Sequence, residues 1–152
     1  MATDPNDLEL RAWRAFVTSY ARVVPRLDAE LNSDQGLSLS QYEVLLRLAW
    51  APDRALRMTD LARGVFLSPS GITRAVDQLE RRGFVERRVC ASDRRGFLAI
   101  LTPKGKSKLR AATKVHVAGM REHFFRHLSP AQLEALADAL ESVAAPEISQ
   151  AS

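Results

Sequence analysis

The stretch CASDRRGFLAI, residues 90–100, places an acid, two arginines and a glycine between two short apolar segments. The flanks are typical of β-strands, so the run from Asp93 to Gly96 is predicted to form the tip of a hairpin. Guanidinium groups are well suited to binding phosphate, because each offers several N–H donors in a fixed plane. The tip is therefore either a solvated turn or an anion-binding element, and the rest of the chain has to decide between them.

The distribution of charge favours an anionic partner. Residues 63–114 hold 13 Lys and Arg against 4 Asp and Glu, a local net charge of +9. The remainder holds 9 basic and 14 acidic residues, so that a basic middle lies between acidic ends. Clustered cations gain free energy by releasing the counterions condensed on nucleic-acid phosphates. A solvated basic face is the alternative interpretation of the charge alone.

A second polar cluster lies upstream, on a helix predicted over residues 69–82. Ile72, Val76 and Leu79 share its apolar face, and the opposite face is polar. The major groove of DNA admits one α-helix, and hydroxyl, amide and guanidinium groups read base edges there. Any surface helix has a polar face, but this one follows a short helix within the basic segment. The candidate DNA contacts are Ser68, Ser70, Thr73, Arg74, Asp77, Gln78 and Arg81.

Asp77 is the exception in this set. Its carboxylate would repel phosphates unless it pairs with Arg74 or Arg81, three and four residues away on the helix. Asp77 is kept among the candidates on the condition that it has such a partner.

Helix start and stop signals predict the elements that position both clusters. An amphipathic helix over 8–31 contains Pro25, which is expected to kink or split it, and residues 32–36 are predicted to form a loop. Ser40 and Glu43 make a capping box for a helix through Trp50. A short helix is predicted from an N-cap at Thr59 to Arg63, with Gly64 after it, and the next helix is opened by Ser68-Pro69 and ended by Gly83. Two strands follow, over 84–89 and 97–101. A long helix is predicted from Thr102-Pro103 to about His127, and a last helix from Ser129-Pro130.

Composition and motifs argue against several classes of protein. The chain has 152 residues, 46% hydrophobic and 26% charged, which is typical of one soluble domain, and the acidic start MATDPNDLEL has no signal-peptide layout. The single cysteine, Cys90, excludes an intramolecular disulfide. No nucleophile–base arrangement, phosphate-binding glycine loop or HExxH-like spacing occurs, and the pair His123 and His127 lacks a third ligand. We expect a cytoplasmic protein that is not an enzyme, has no cofactor or metal and does not enter the membrane.

The run LSPSGITRAVDQLERRGFVERRVCASDRRGFLAILTPKG, residues 67–105, resembles the DNA-binding core of the MarR family of bacterial transcription regulators. The similarity lies in the S-x-S-x-x-T-R-x-V-D-x-L-E-x-x-G helix, the D-R-R-G wing tip and the L-T-x-x-G start of the next helix. The predicted order of helices also matches the family along almost the whole chain. The resemblance implies a mainly α fold with a small β-hairpin wing, in which a winged helix-turn-helix lobe is joined to N- and C-terminal dimerisation helices.

The family pattern also implies roles for individual residues. Residues 69–82 would lie in the major groove, and a wing over 88–97, including Arg88, would reach the neighbouring minor groove. Asp93 would orient Arg95, which would enter the minor groove, where a narrow groove concentrates negative potential. Arg94 would contact a backbone phosphate. The carboxylate would hold the arginine in one geometry before DNA arrives and so reduce the entropy lost on binding.

The outer helices acquire a function through the same resemblance. Within a single domain over 1–152, residues 8–31 and 103–145 would form the dimer core, and residues 40–101 the DNA-binding lobe. Many family members release DNA when a small aromatic or anionic effector enters a crevice between these parts. The candidates here are Trp13, Tyr20, Tyr42 and His116, for which packing in the core is the favoured interpretation.

The expected function is a dimeric, sequence-specific regulator, a repressor that binds a palindromic operator in double-stranded DNA. The alternative is a winged-helix module that contacts only proteins. The basic middle segment distinguishes the two, because a protein-binding wing has no need of a local charge of +9.

Overall fold

The computed structural model describes residues 5–64 and 69–144, without the side chains of residues 69 and 93–95. Its described part is mainly helical with one small antiparallel sheet, which confirms the predicted fold class. The elements in chain order are α1 (Asp7–Gln35), α2 (Leu39–Trp50), a 3-10 turn (Pro52–Arg54), β1 (Ala55–Arg57), α3 (Met58–Gly64), α4 (Pro69–Arg81), β2 (Val85–Cys90), β3 (Asp93–Leu101), α5 (Pro103–His123), a second 3-10 turn (Phe125–His127) and α6 (Pro130–Ala144).

Helix α1 is longer than its sequence pattern indicates. It begins at an Asn6–Glu9 capping box and continues through Pro25 to Gln35, so the proline does not split it and the loop predicted over 32–36 is wrong. Leu27 and Leu31 are buried beside Pro25, and their packing holds the helix together across the lost hydrogen bond. Gly36 ends the helix with φ of 62°, a left-handed conformation that glycine adopts without strain.

Two predicted helix starts are displaced. The N-cap of α2 is Ser38, whose hydroxyl accepts from the backbone N–H of Gln41 at 3.1 Å, and not Ser40. Both serines have a Glu or Gln three residues later, so the capping box alone does not choose between them. Thr59 lies inside α3 and does not cap it, because β1 leads directly into that helix at Met58. Gly64 is the last residue of α3 and not the residue after it.

The sheet has three strands in the order β1-β3-β2, where the sequence predicted a two-stranded hairpin. Strand β1 is only Ala55–Arg57, too short for its alternation to be recognised, and it pairs with residues 98–100 of β3. The sheet, α2, α3 and α4 enclose the main core, whose fully buried members include Leu45, Leu48 and Leu61.

The carboxyl-terminal helices begin as predicted. The Thr102 hydroxyl caps α5 by accepting from the backbone N–H of Gly105 at 3.0 Å, and the Ser129–Gln132 capping box precedes α6. Helix α5 ends at His123, four residues before the predicted end, because Phe124 leaves the helical conformation. It packs against the C-terminal part of α1, where Lys108 contacts Gln35 and His123 contacts Glu30.

The terminal helices leave apolar side chains in solvent. Every residue from 5 to 22 is exposed, although this segment contains an apolar stripe at helical spacing. The stripe is formed by Trp13, Phe16, Val17 and Tyr20, which are 63%, 48%, 43% and 61% exposed. No residue of α6 is buried, and Val143 is 82% exposed. Such surfaces on a small domain mark sites of association.

Candidate nucleic-acid interface

Helix α4 separates its two faces cleanly. Ile72, Ala75, Val76 and Leu79 are buried in the core. The opposite face is in solvent, and the predicted contacts Ser70, Thr73, Arg74, Gln78 and Arg81 are all exposed. The structure thus brings these five side chains together on one surface, while Ser68 lies outside the described residues.

Asp77 has a different partner from the two that its helical spacing offers. Its Oδ1 lies 2.5 Å from Nη2 of Arg87, which comes from β2, and it forms no ion pair with Arg74 or Arg81. The reason is tertiary: β2 runs beside the flank of α4 and brings a guanidinium to the carboxylate. Helical spacing could reveal only partners on the same helix.

Gln78 points toward α2 as well as toward solvent. Its Oε1 accepts from Nε2 of Gln41 at 2.6 Å, so one side of its amide is already engaged within the protein. Of the predicted contacts, Arg74 and Arg81 therefore present the largest donor groups toward an outside partner.

The wing is built differently from a simple hairpin with a charged tip. Strand β2 continues to Cys90, and the turn is formed by Ala91 and Ser92. The predicted tip residues 93–96 are instead the first residues of β3. The prediction that they form the turn is wrong, because the ladder extends further than the apolar alternation indicates.

The register of the wing changes next to its turn. Val89 pairs with Phe97, but the next residue, Cys90, pairs with Asp93. Three residues of β3, Arg94 to Gly96, therefore have no partner on β2 and form a bulge in the strand. Bulges re-aim side chains, so both arginines lie in backbone that departs from the regular ladder; their side chains are not among those described.

Two further arginines lie near the wing. Arg88, a predicted wing contact, is exposed and forms an ion pair with Glu86 at 2.5 Å. Arg57 of β1 donates from Nη2 to the Ser92 hydroxyl at 2.7 Å and thereby joins the third strand to the wing turn. Arg57 is not among the predicted contacts, because β1 is too short to be recognised from the sequence.

The four effector candidates divide into two pairs. Tyr42 is buried, and its ring centroid lies 4.7 Å from that of His116. Trp13 and Tyr20 are instead exposed on the N-terminal half of α1. Nδ1 of His116 is buried without a hydrogen-bond partner among the described residues, and burial lowers the pKa of this imidazole.

Three surface cavities lie elsewhere. One of about 450 Å³ joins the end of α1 to α2 and α4, and Gln41, Gln78, Arg81 and Arg82 are in its lining. A second of about 450 Å³ lies between α1 and α5 and contains Glu30, Asp34 and Glu122. A third of about 360 Å³ is lined by residues that include Arg22, Arg26, His123 and His127. Trp13, Tyr20, Tyr42 and His116 line none of these three.

Within residues 5–64 and 69–144, His, Cys, Asp and Glu form no group of three suited to a metal ion. No helix in the same ranges has the length and apolar character needed to cross a bilayer.

The family model and the similar solved structures agree on one protein family. A sequence model described as MarR family matches residues 35–96. The DNA complex of Sco3205, a MarR family transcriptional regulator from Streptomyces coelicolor, is 34% identical, with a TM-score of 0.87 and coverage of 99% of this chain and 97% of that one. AbsC, a MarR family regulator from the same organism, is 33% identical, with a TM-score of 0.84 and coverage of 94% and 96%.

Two transcriptional repressors are similar to about half of this chain. YetL of Bacillus subtilis is 37% identical over 75 residues, which is 49% of this chain and 45% of the repressor. MprA of Escherichia coli is 33% identical over 76 residues, which is 50% of this chain and 43% of that protein. The matched part is thus less than half the length of either repressor. The chain-long similarity to two regulators of known structure establishes that this protein belongs to the MarR family of transcription regulators.

Proposed function

We propose that this MarR-family protein is a homodimeric repressor that binds a palindromic operator in double-stranded DNA. The observation that carries the proposal is the exposed polar face of α4 beside the wing, within a segment of net charge +9. Sco3205, 34% identical over nearly the whole chain, was solved in complex with DNA. YetL and MprA, each similar to about half of this chain, are named repressors.

In this proposal α4 enters the major groove and the wing follows the neighbouring minor groove. Arg74 lies near the middle of the exposed face and reads a base edge, together with Ser70 and Thr73. Arg81 and Ser68 contact the DNA backbone. Asp77 and Gln78, which bond to Arg87 and Gln41, contribute by fixing the surface.

For the wing residues we propose the roles that the family pattern implies. Asp93 orients Arg95, Arg95 enters the minor groove, and Arg94 and Arg88 contact phosphates. The register change in β3 supports a special role for Arg94 and Arg95, because a three-residue bulge releases them from the inward–outward alternation of a strand.

The dimer proposal rests on the terminal helices. A helix segment whose residues 5–22 are all exposed, with large apolar side chains among them, is marginal in water without a partner. We propose that residues 8–31 and 103–145 of two copies bury these surfaces, and that residues 40–101 form the DNA-binding lobe of each copy. Two identical lobes related by a two-fold axis bind two identical half-sites, so the operator is palindromic.

The proposal includes a small effector that contacts Tyr42 and His116. Nδ1 of His116 is buried and has no hydrogen-bond partner within the described part of the chain, so it is suited to a ligand hydroxyl or carboxylate. The adjacent Tyr42 ring suits an aromatic ligand. Trp13 and Tyr20 are assigned to the dimer surface, since they lie on its apolar stripe.

Genome-wide footprinting of the purified protein, combined with light scattering, tests the main proposal. We expect a dimeric mass and protected sites with two-fold symmetric sequences that overlap promoters. In vitro transcription from those promoters should then fall when the protein is added. Protection without sequence preference, or no protection at all, would exclude the operator assignment and favour a protein-binding winged helix.

A further inference from the structure

Arg87 connects the wing to the helix that carries the exposed polar face. Its Nη2 lies 2.5 Å from Oδ1 of Asp77, and its Nη1 lies 3.0 Å from Oε2 of Glu80. Its backbone N–H donates to Oε1 of Glu80 at 3.2 Å, and Nη2 donates to the carbonyl oxygen of Thr73 at 3.4 Å. All three partners belong to α4, so one residue of β2 contacts about two turns of that helix.

The side chain of Arg87 faces inward. It is 21% exposed, whereas its neighbour Arg88 is 69% exposed. A guanidinium that is largely shielded and bonded to two carboxylates has few donors left for a phosphate. Arg87 therefore differs from Arg88, Arg74 and Arg81, whose groups lie in solvent.

The carboxylates of Asp77 and Glu80 lie on the helix that is proposed to approach DNA, where negative charge would weaken binding. Asp77 sits between Arg74 and Arg81 along α4, and its side chain is 36% exposed; Glu80 is 40% exposed. Without a cation between them, both carboxylates would face the phosphates that α4 approaches. Arg87 compensates this charge and holds β2 against the helix with the same contacts.

We propose that Arg87 is a positioning residue for operator binding. It neutralises Asp77 and Glu80 and fixes the angle between α4 and the wing, without itself contacting DNA. This inference rests on the proposed DNA-binding function. It predicts that the affinity lost with Arg87 can be restored by removing the charge that Arg87 compensates.

The test is a double-mutant cycle on operator affinity, measured by fluorescence anisotropy over a range of salt concentrations. Arg87→Met should weaken binding about 10-fold, because it leaves two uncompensated carboxylates beside DNA. Adding Asp77→Asn should restore most of that loss. The slope of log affinity against log salt should stay as in the wild type, since no phosphate contact is removed.

A phosphate contact by Arg87 would give a different salt dependence and no rescue. If Arg87 contacts a phosphate, the slope should become shallower by about 0.9 and Asp77→Asn should not rescue binding. That result, or an Arg87→Met variant with unchanged affinity, would overturn the proposal.

Two further measurements apply if Arg87→Met does not fold or if the wild type binds no operator. If Arg87→Met does not fold, the same change is made in an Asp77→Asn, Glu80→Gln background, where it should cost less than about 3-fold in affinity. If the wild type binds no operator, the proposed function fails, but the cycle can still be measured in unfolding. Non-additive effects of Arg87→Met and Asp77→Asn on stability would support the helix–wing link, and additive effects would contradict it.

Discussion

Arg47 of α2 donates from Nη1 to the carbonyl oxygen of Gly64, 2.9 Å away, at the residue where α3 ends. The guanidinium fills the space beside the glycine, so a β-carbon at position 64 would lie 1.6 Å from the Arg47 Cζ. This contact binds α2 to the end of α3, just before the chain passes toward α4. The glycine is needed here for close approach, and the arginine acts as a C-terminal cap for the short helix.

Gly64→Ala should therefore destabilise the DNA-binding lobe. The added methyl must displace the Arg47 guanidinium and break its hydrogen bond to the Gly64 carbonyl oxygen, a loss of about 1 kcal/mol. Thermal unfolding followed by circular dichroism measures the loss. In an Arg47→Ala background the same substitution should cost much less, and equal costs in both backgrounds would show that the two residues do not compete for space.

Arg95→Ala should weaken operator binding while the dimer stays intact. In the proposed complex its guanidinium enters the minor groove, where negative potential is high, and alanine removes that contact. Electrophoretic mobility shift with a footprinted operator measures the affinity, and light scattering checks the mass. Unchanged affinity would show that the wing assignment is wrong.

Arg74→Ala should relax base preference at one position of each half-site. Arg74 is exposed on the outward face of α4, and a bidentate contact to a guanine contributes about 1–3 kcal/mol of discrimination. Selection of binding sites from a random pool measures the preference. A uniform loss over all sequences, with a shallower salt dependence, would identify Arg74 as a phosphate contact instead.

Phe16→Glu should give a monomer with weak operator affinity. The side chain lies within the exposed apolar stripe of α1, and a carboxylate there would be buried unpaired in the proposed dimer. Binding to a single half-site loses the gain from engaging two sites together. Thr18→Glu, on the opposite face of the same helix, is the control and should remain dimeric; a dimeric Phe16→Glu protein would place the interface elsewhere.

His116 should make stability depend on pH. Burial lowers the pKa of this imidazole in the folded protein, so the unfolded chain binds a proton more readily. The free energy of unfolding is therefore unaffected well above the ordinary histidine pKa and falls as pH drops below about 6.5. Chemical denaturation between pH 5 and pH 8 measures this slope.

His116→Leu should flatten the slope in that range. His127→Leu removes an exposed imidazole of the second 3-10 turn and serves as the control. A slope that is lost in the control variant and kept in His116→Leu would contradict the assignment.

The sequence by itself determined the order of helices and the identity of the polar face. Ile72, Val76 and Leu79 recur at helical spacing, and this local periodicity fixes which side of α4 is buried and which side is exposed. Thr102-Pro103 and Ser129-Pro130 marked two helix starts for the same reason, since capping depends on neighbours within one turn. Local signals of this kind are enough to predict a winged helix-turn-helix.

Only the tertiary structure decided the contacts between elements. The pairing of Asp77 with Arg87, and not with Arg74 or Arg81, requires β2 to lie beside α4. The third strand also depends on a partner far along the chain, because Ala55–Arg57 pairs with residues 98–100 of β3. Periodicity reports which face of an element is buried, but it carries no information about which distant residue that face or flank will meet, because that is set by how the elements pack.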